Sequence, residues 1–186
     1  MSEAHVPETT APSEAAPAGR SFVERVTGVL RLDSAAYEDV GADAGAWGQA
    51  AAVVAGAAIA RALAAQGGPL GGQGIAFMIQ VAAIWPIASA LVWLLGGWFG
   101  HPAPFARVAR VMGFAMAPLL LTALAVVPAA PVQIAVAFLS TALLIATFVV
   151  GVRQALATST GSAAFVLIVV LLAIFFVVML FQYAVS

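Results

Sequence analysis

The chain has 186 residues, of which 63% are hydrophobic and only 8% charged, and its mean hydropathy is +1.08. Soluble domains hold roughly 45–50% apolar and about 25% charged residues, so this composition excludes a soluble globular protein and specifies an integral membrane one. The lack of cysteine excludes disulfides and thiolate metal sites. The net charge of -1 hides a polarised arrangement, because all eight acids (Glu3, Glu8, Glu14, Glu24, Asp33, Glu38, Asp39, Asp43) precede residue 44. Beyond that point only Arg61, Arg107, Arg110 and Arg153 carry a formal charge. An apolar region without a carboxylate offers no obvious proton relay, cation site or acid/base pair.

Residues 1–19 are rich in Ala, Pro, Glu, Thr and Ser without apolar periodicity, which is the composition of a disordered tail. No signal peptide is expected, since acids are scattered ahead of the first basic residue, Arg20, and no apolar core precedes Ala44. Residues 20–43 form an amino-terminal segment expected on the cytoplasmic side. In it, Phe22, Val23, Val26, Val29 and Leu30 recur at helical spacing, with Glu24, Arg25 and Arg31 elsewhere. That pattern fits a short amphipathic helix on the membrane surface and fits equally a helix packed under a bundle. Asp33 or Ser34 can cap a second short helix that runs through Tyr37 and Val40 to Gly41, and Asp43 can cap the helix that follows.

Five spans are expected within residues 44–185, at about 44–64, 75–99, 105–127, 132–155 and 163–183. The first is alanine-rich and carries Gln49 and Arg61; Arg61 lies near its end, where a long side chain snorkels to the headgroups. Gly48, Ala52, Gly56 and Ala60 form a small-residue stripe that would admit a neighbouring helix. A loop rich in glycine leads to the second span, where Pro86 predicts a kink and Gln80 is the one strongly polar side chain of the first half. Trp98, Phe99, Pro102 and Pro104 mark its end. Arg107 and Arg110 then stand one turn apart before the apolar run of the third span, which holds Gly113, Phe114 and Pro118. Pro118 is expected to bend that helix, with Gly113 packed closely against a neighbour. Only five residues, Val127 to Pro131, separate the third span from the fourth and force an antiparallel hairpin. The fourth carries Ser140, Thr141 and Thr147, ends near Arg153, and is followed by a polar patch and a last span of Val, Leu, Ile and Phe.

The distribution of arginine decides the number of crossings. With five spans, Arg20, Arg25, Arg31, Arg107, Arg110 and Arg153 fall on one side and Arg61 on the other; with four, the bias vanishes. The expected architecture is thus an all-α polytopic bundle of five spans with a short amphipathic amino-terminal helix, amino terminus in the cytoplasm and carboxyl terminus outside. At least one of Asp33, Glu38, Asp39 and Asp43 is expected to pair with Arg107, Arg110 or Arg153; the competing role for these arginines is contact with anionic headgroups.

The order of amphipathic helix, five spans, basic second loop and Arg-containing fourth loop resembles the Yip family, the Ypt/Rab-interacting group of small membrane proteins, in its prokaryotic branch. The resemblance covers about residues 20–183. It rests on Phe105-Ala106-Arg107-Val108-Ala109-Arg110-Val111-Met112-Gly113-Phe114-Ala115-Met116-Ala117-Pro118, on Leu32-Asp33 with Tyr37-Glu38-Asp39 and Asp43, and on Val152-Arg153-Gln154-Ala155-Leu156. The Asp-Leu-Tyr-Gly-Pro segment of eukaryotic members is absent, and Phe114 stands where they have tyrosine. No Rab-type GTPase partner is therefore expected, and the alanine-rich, lysine-free composition points to a prokaryotic plasma membrane.

Three classes of function are open at this stage. The first is a non-catalytic membrane protein, an adaptor or an organiser of the bilayer, with lipid and a second membrane protein or another copy of the chain as partners. The second is a small transporter or channel component for neutral solutes or anions, suggested by Gln80, Pro86, Ser140 and Thr147. An enzyme is not expected, because His101 stands alone in a loop and the chain offers no nucleophile and base, aspartate pair or metal-ligand set within the spans. Neither a cofactor nor a nucleic-acid partner is expected. Glu38, Asp39 and Asp43 could bind a divalent cation, but a solvated helix face is the expected role of these acids, and no metal site is expected.

Overall fold

The computed structural model describes residues 19–65 and 68–185, with the side chains of 177, 178 and 180–185 excepted. The expected tail lies outside the described residues apart from Gly19. Helix α1 (Phe22–Leu30) opens on a capping box, in which Ser21 Oγ accepts from the Glu24 N–H at 3.4 Å and Glu24 Oε2 accepts from the Ser21 N–H at 2.8 Å. Its last turn closes through Leu32 at φ 60°, with the Asp33 N–H returning to Gly28 O at 2.9 Å. A left-handed leucine is unusual, and it lets α2 (Ser34–Ala42) fold straight back on α1. At the crossing, a Cβ on Gly28 would lie 2.6 Å from the Ala36 Cβ, so glycine there sets how near the two helices approach. Asp33 caps α2, accepting from the Ala35 N–H at 3.0 Å.

The membrane helices follow as α3 (Ala46–Leu63), α4 (Gly72–Trp98), α5 (Phe105–Ala115) continued by a 3-10 segment (Ala117–Val126), α6 (Ala130–Ala155) and α7 (Thr160–Val185). Among the described residues, four of these units are long and apolar enough to cross a membrane, and α7 adds a shorter apolar stretch, Thr160–Phe176. The fold is an all-α polytopic membrane helix bundle. Its end beside α1 and α2 is called the near end below; the other, where α3 finishes at Leu63, is the far end.

The third unit is the axis of the bundle. In its apolar window 67% of residues are buried, against 22% in α4 and 17% in α6, so those two helices turn most of their surface to lipid. Its shape follows from Pro118, which supplies no N–H to the preceding turn. Bonding tightens there to three-residue spacing, with Met116 N–H to Gly113 O at 3.2 Å and Leu119 N–H to Met116 O at 3.0 Å. Pro118 therefore changes the helix type, where the sequence led us to expect a bend alone. Runs of 3-10 helix beyond about three or four residues are uncommon, and neighbouring side chains support this one. Thr147 Oγ1 of α6 donates to the carbonyl of Ala115 at 2.8 Å, and Gln133 Nε2 donates to Ala125 O at 3.2 Å. By contrast, α4 runs through Pro86 as one helix.

Gly113 lies against two neighbours at once. A Cβ there would meet the Ala50 Cβ at 3.0 Å and Trp85 Nε1 at 3.1 Å, and the same indole N–H donates to Ala109 O at 2.8 Å. The small-residue stripe of α3 packs only in part: Gly48 and Ala52 are exposed, while Gly56 faces Leu120 and Ala60 is buried. Replacing Gly113 with Leu is expected to cost about 1–3 kcal/mol by overpacking. The same change at Gly97, whose added Cβ would meet nothing within 4 Å, is expected to be tolerated. Melting of the two variants in detergent checks this, and equal melting temperatures would remove the packing argument.

Candidate functional site

Among the described residues, the charged side chains other than Arg61 collect at the near end. At their centre is Arg25 of α1, only 2% exposed, because the buried stripe of that helix is Arg25, Gly28 and Val29. A guanidinium removed from water needs its donors matched. Here Nε donates to Asp39 Oδ2 at 2.7 Å, Nη2 to Asp43 Oδ2 at 2.7 Å and Nη1 to Gln49 Oε1 at 2.9 Å. One side chain thereby ties α1 to α2, to the turn before α3 and to the first turns of α3. Burial works against the Arg25 charge, yet the bonds to Asp43 and Asp39 outweigh it and hold the guanidinium above its ordinary value. Outside this knot, Arg20 Nη1 meets Asp33 Oδ2 at 2.7 Å.

The three membrane-proximal arginines each bind the amino-terminal segment in a different way. Arg107 Nη2 pairs with Glu38 Oε2 at 2.8 Å and donates to Gln154 O at 3.0 Å, which joins α5, α2 and α6. Gly41 makes this approach possible, since a Cβ there would stand 3.3 Å from Arg107 Cγ. Arg110, 7% exposed, pairs with no acid. Its Nε and Nη2 donate to the carbonyls of Val40 (3.2 Å) and Gly41 (2.6 Å), the unpaired acceptors at the carboxyl end of α2, where a cation also complements the helix dipole. Arg153 Nη2 donates to Ser34 Oγ at 2.8 Å. With its carboxamide oriented to satisfy both ends, Gln154 donates to Glu38 Oε1 at 3.0 Å and accepts from Arg153 and Ser34. Of the expected acid–arginine pairs, the one formed is Glu38 with Arg107. A compensating charge reversal for Arg107 therefore belongs at Glu38 and not at an aspartate. Arg110 is turned into the protein, away from headgroups.

Below this polar layer, Tyr37 is fully buried and its hydroxyl donates between Val29 O (3.3 Å) and Thr147 O (3.2 Å). Burial pushes its phenol well above the usual tyrosine value, so it remains a neutral donor. Phe114 is buried against Phe22 of α1, ring centroids 6.2 Å apart at 61°. Pro118 and Gly113 lie one turn or less away, so Gly113-Phe114…Pro118 supplies a close contact, a receptor for α1 and a change of helix type. Pro86 stands apart, in α4. Val29 is buried and Val26 and Leu30 are half-buried against the main core, which settles α1 as packed on the bundle; Val23 stays 67% exposed.

All five described acids are engaged: Glu24 with the Ser21 N–H, Asp33 with Arg20, Glu38 with Arg107, and Asp39 and Asp43 with Arg25. Among the described residues no three His, Asp or Glu side chains are grouped to hold a metal ion. The layer is suited to fastening one segment to another, not to proton transfer. Two of its members escaped the sequence reading. Arg25 was assigned to the polar face of α1, although its position three and four residues ahead of Gly28 and Val29 marks the buried stripe. The sequence places Tyr37 in a helix and in the motif of the resemblance, but gives no sign of its two hydrogen bonds.

The geometry agrees with one comparison. The model of the Yip1 domain matches residues 27–181, and the chain belongs to the Yip family of membrane proteins. No curated protein and no solved structure matches the chain.

Two predictions follow from the knot. Arg25→Met keeps the stem but leaves the acids without a partner, and is expected to destabilise the docked segment by roughly 2–3 kcal/mol. The loss of a fully dehydrated pair reaches about 3–5 kcal/mol, and Asp39 keeps 24% of its surface in water. Glu38→Gln, at a half-exposed pair, is expected to cost at most about 1 kcal/mol. Proteolytic release of α1 and α2 measures both, and equal release rates would contradict the ranking. The second prediction concerns pH. The Arg20 guanidinium, then the Ala35 N–H, holds the Asp33 carboxyl low; the Arg25 guanidinium, then the Gly45 N–H, does the same for Asp43. Folded values thus lie below the unfolded value of about 3.9, so this stabilisation is complete above it and is lost as pH falls through the folded values. Hydrogen exchange of α1 and α2, corrected for intrinsic rates, is expected to be flat from about pH 5 to about pH 8 and to rise below about pH 4. Release already at pH 6 would contradict it.

Proposed function

We propose that the protein is a non-catalytic adaptor or organiser of a prokaryotic plasma membrane, with the amino terminus and residues 20–43 in the cytoplasm and the carboxyl terminus outside. The observation that carries this reading is the docked amino-terminal pair, which Arg25, bonded to Gln49, and Glu38, paired with Arg107, hold to the bundle. The pair retains an outer face, with Phe22 39% and Val23 67% exposed beside Glu24, Thr27 and Arg31. That rigid, mixed face is the surface offered to a partner, for which lipid and a second membrane protein or another copy of the chain are the candidates. No Rab-type GTPase is invoked, given Phe114 and the missing Asp-Leu-Tyr-Gly-Pro segment. The orientation rests on the near end holding six of the seven arginines, a count in which acids matter little.

Transport is the weaker reading. Ser140 Oγ donates to Val136 O at 2.6 Å and Thr147 Oγ1 to Ala115 O and Leu144 O, so the protons of these hydroxyls are committed to helix carbonyls. Crosslinking in native membranes tests the adaptor reading. The full chain is expected to give a species of fixed stoichiometry that is lost on Val23→Asp, while the melting temperature of that variant stays unchanged. A species indifferent to Val23→Asp would overturn the role of the α1 face. Solute flux above background in liposomes would favour transport.

A further inference from the structure

The far end carries an arrangement that the amino-terminal segment does not explain. A cavity of about 250 Å³ lies among α3, α4, the third unit, α6 and α7, and its walls are almost wholly apolar, including Ile84, Ala88, Leu144, Phe148 and Val170. Two polar side chains break that lining, Arg61 from the last turn of α3 and Gln80 from α4. A second cavity of about 210 Å³ shares Arg61 and Leu119 with the first and is walled by Thr122, Gln133, Ser140 and Thr141. Arg61 thus stands where an apolar chamber meets a polar one.

Among the described residues Arg61 has no acidic partner. Every acid of the chain precedes residue 44, the described ones are engaged at the near end, and the Arg61 guanidinium lies over the Phe77 ring, 4.7 Å from its centroid. Gln80 makes no hydrogen bond to the described residues and is exposed on a membrane helix. An amide without a partner in hydrocarbon costs several kcal/mol, and a cation more. Thr122 and Ser140 have their protons committed to Leu119 O and Val136 O, and one of the two Gln133 amide protons to Ala125 O, so the donors left for a guest are Arg61, Gln80, the Thr141 hydroxyl and the second Gln133 amide proton. A guest that satisfies these walls has an anionic, acceptor-rich head and an apolar tail.

We propose that the two chambers hold one anionic glycerophospholipid of the leaflet opposite α1 and α2, with its phosphate on Arg61 and one acyl chain in the apolar chamber. The first chamber is smaller than the roughly 300–1,000 Å³ of a typical ligand cleft, which suits part of a single chain while the rest of the lipid stays in the leaflet. The site is independent of the adaptor reading, because it shares no residue with the near end.

Native mass spectrometry of the full chain, equilibrated with equal amounts of phosphatidylglycerol and phosphatidylcholine of matched chains, tests it. The anionic lipid is expected to be retained about fivefold over the zwitterionic one, the ratio that one arginine near a surface supplies. Arg61→Gln is expected to abolish that ratio, and Gln80→Leu to reduce it. Ile145→Trp, at a chamber wall that is 51% exposed and so free of core strain, is expected to lower retention of both lipids. Circular dichroism melting confirms that each variant is folded. Equal retention of the two lipids by the unaltered chain, or a ratio unchanged by Arg61→Gln, would overturn the headgroup assignment. Retention unchanged by Ile145→Trp would place the lipid on the outer surface and overturn the chamber.

Discussion

A guanidinium taken out of water at the end of an apolar bundle must find fixed acceptors or leave, and Arg25 is that group here. Its three donors meet Asp39, Asp43 and Gln49 at 2.7–2.9 Å, and these partners come from three successive stretches of chain. The same bonds fix the angle between α1 and α2, the turn at Asp43 and the start of α3. As at any helix end, the last carbonyls of α2 lack helical partners, and Arg110 completes those of Val40 and Gly41.

The link from this layer to the membrane axis is a short chain of hydrogen bonds. Tyr37 donates to the backbone carbonyl of Thr147, and the Thr147 hydroxyl donates to the carbonyl of Ala115, at the junction between α5 and the 3-10 segment. Pro118 creates the need for that last bond by disturbing the regular ladder. A proline in the third unit, a threonine in α6 and a tyrosine in α2 therefore form one connection through the buried interior. Neutral donors serve at this depth, where a charge would be costly.

Most of the architecture was legible from hydropathy, because a membrane helix must satisfy its backbone internally and so announces itself by length and composition. The alanine-rich α3 was the hardest, and there the arginine count, not hydropathy, carried the decision. What escaped was local. A proline inside an apolar run predicts disturbance, yet whether it bends or tightens the helix depends on who can take up the freed carbonyl, and Thr147 is distant in sequence. Arg25 was read as polar-face because charge argues for exposure; only the acids 14 and 18 residues later bury it. The motif around Arg107 to Pro118 was legible by resemblance, and the structure adds its physical content: Gly113 as a contact, Phe114 as the seat of Phe22.

The central claim is that α1 and α2 are bound to the near end of the bundle through the Arg25-centred layer in the membrane itself. The chain lacks cysteine, so an introduced pair is unique. Cysteines at positions 38 and 154, whose native side chains lie within 3.0 Å of each other, can be joined in intact membranes by a short bifunctional reagent. The account predicts that this pair links as fully as a control pair at positions 93 and 105, whose rings are 6.1 Å apart, and that Arg25→Met suppresses the first link alone. A control that links while the pair at 38 and 154 does not, with Arg25 intact, would contradict it.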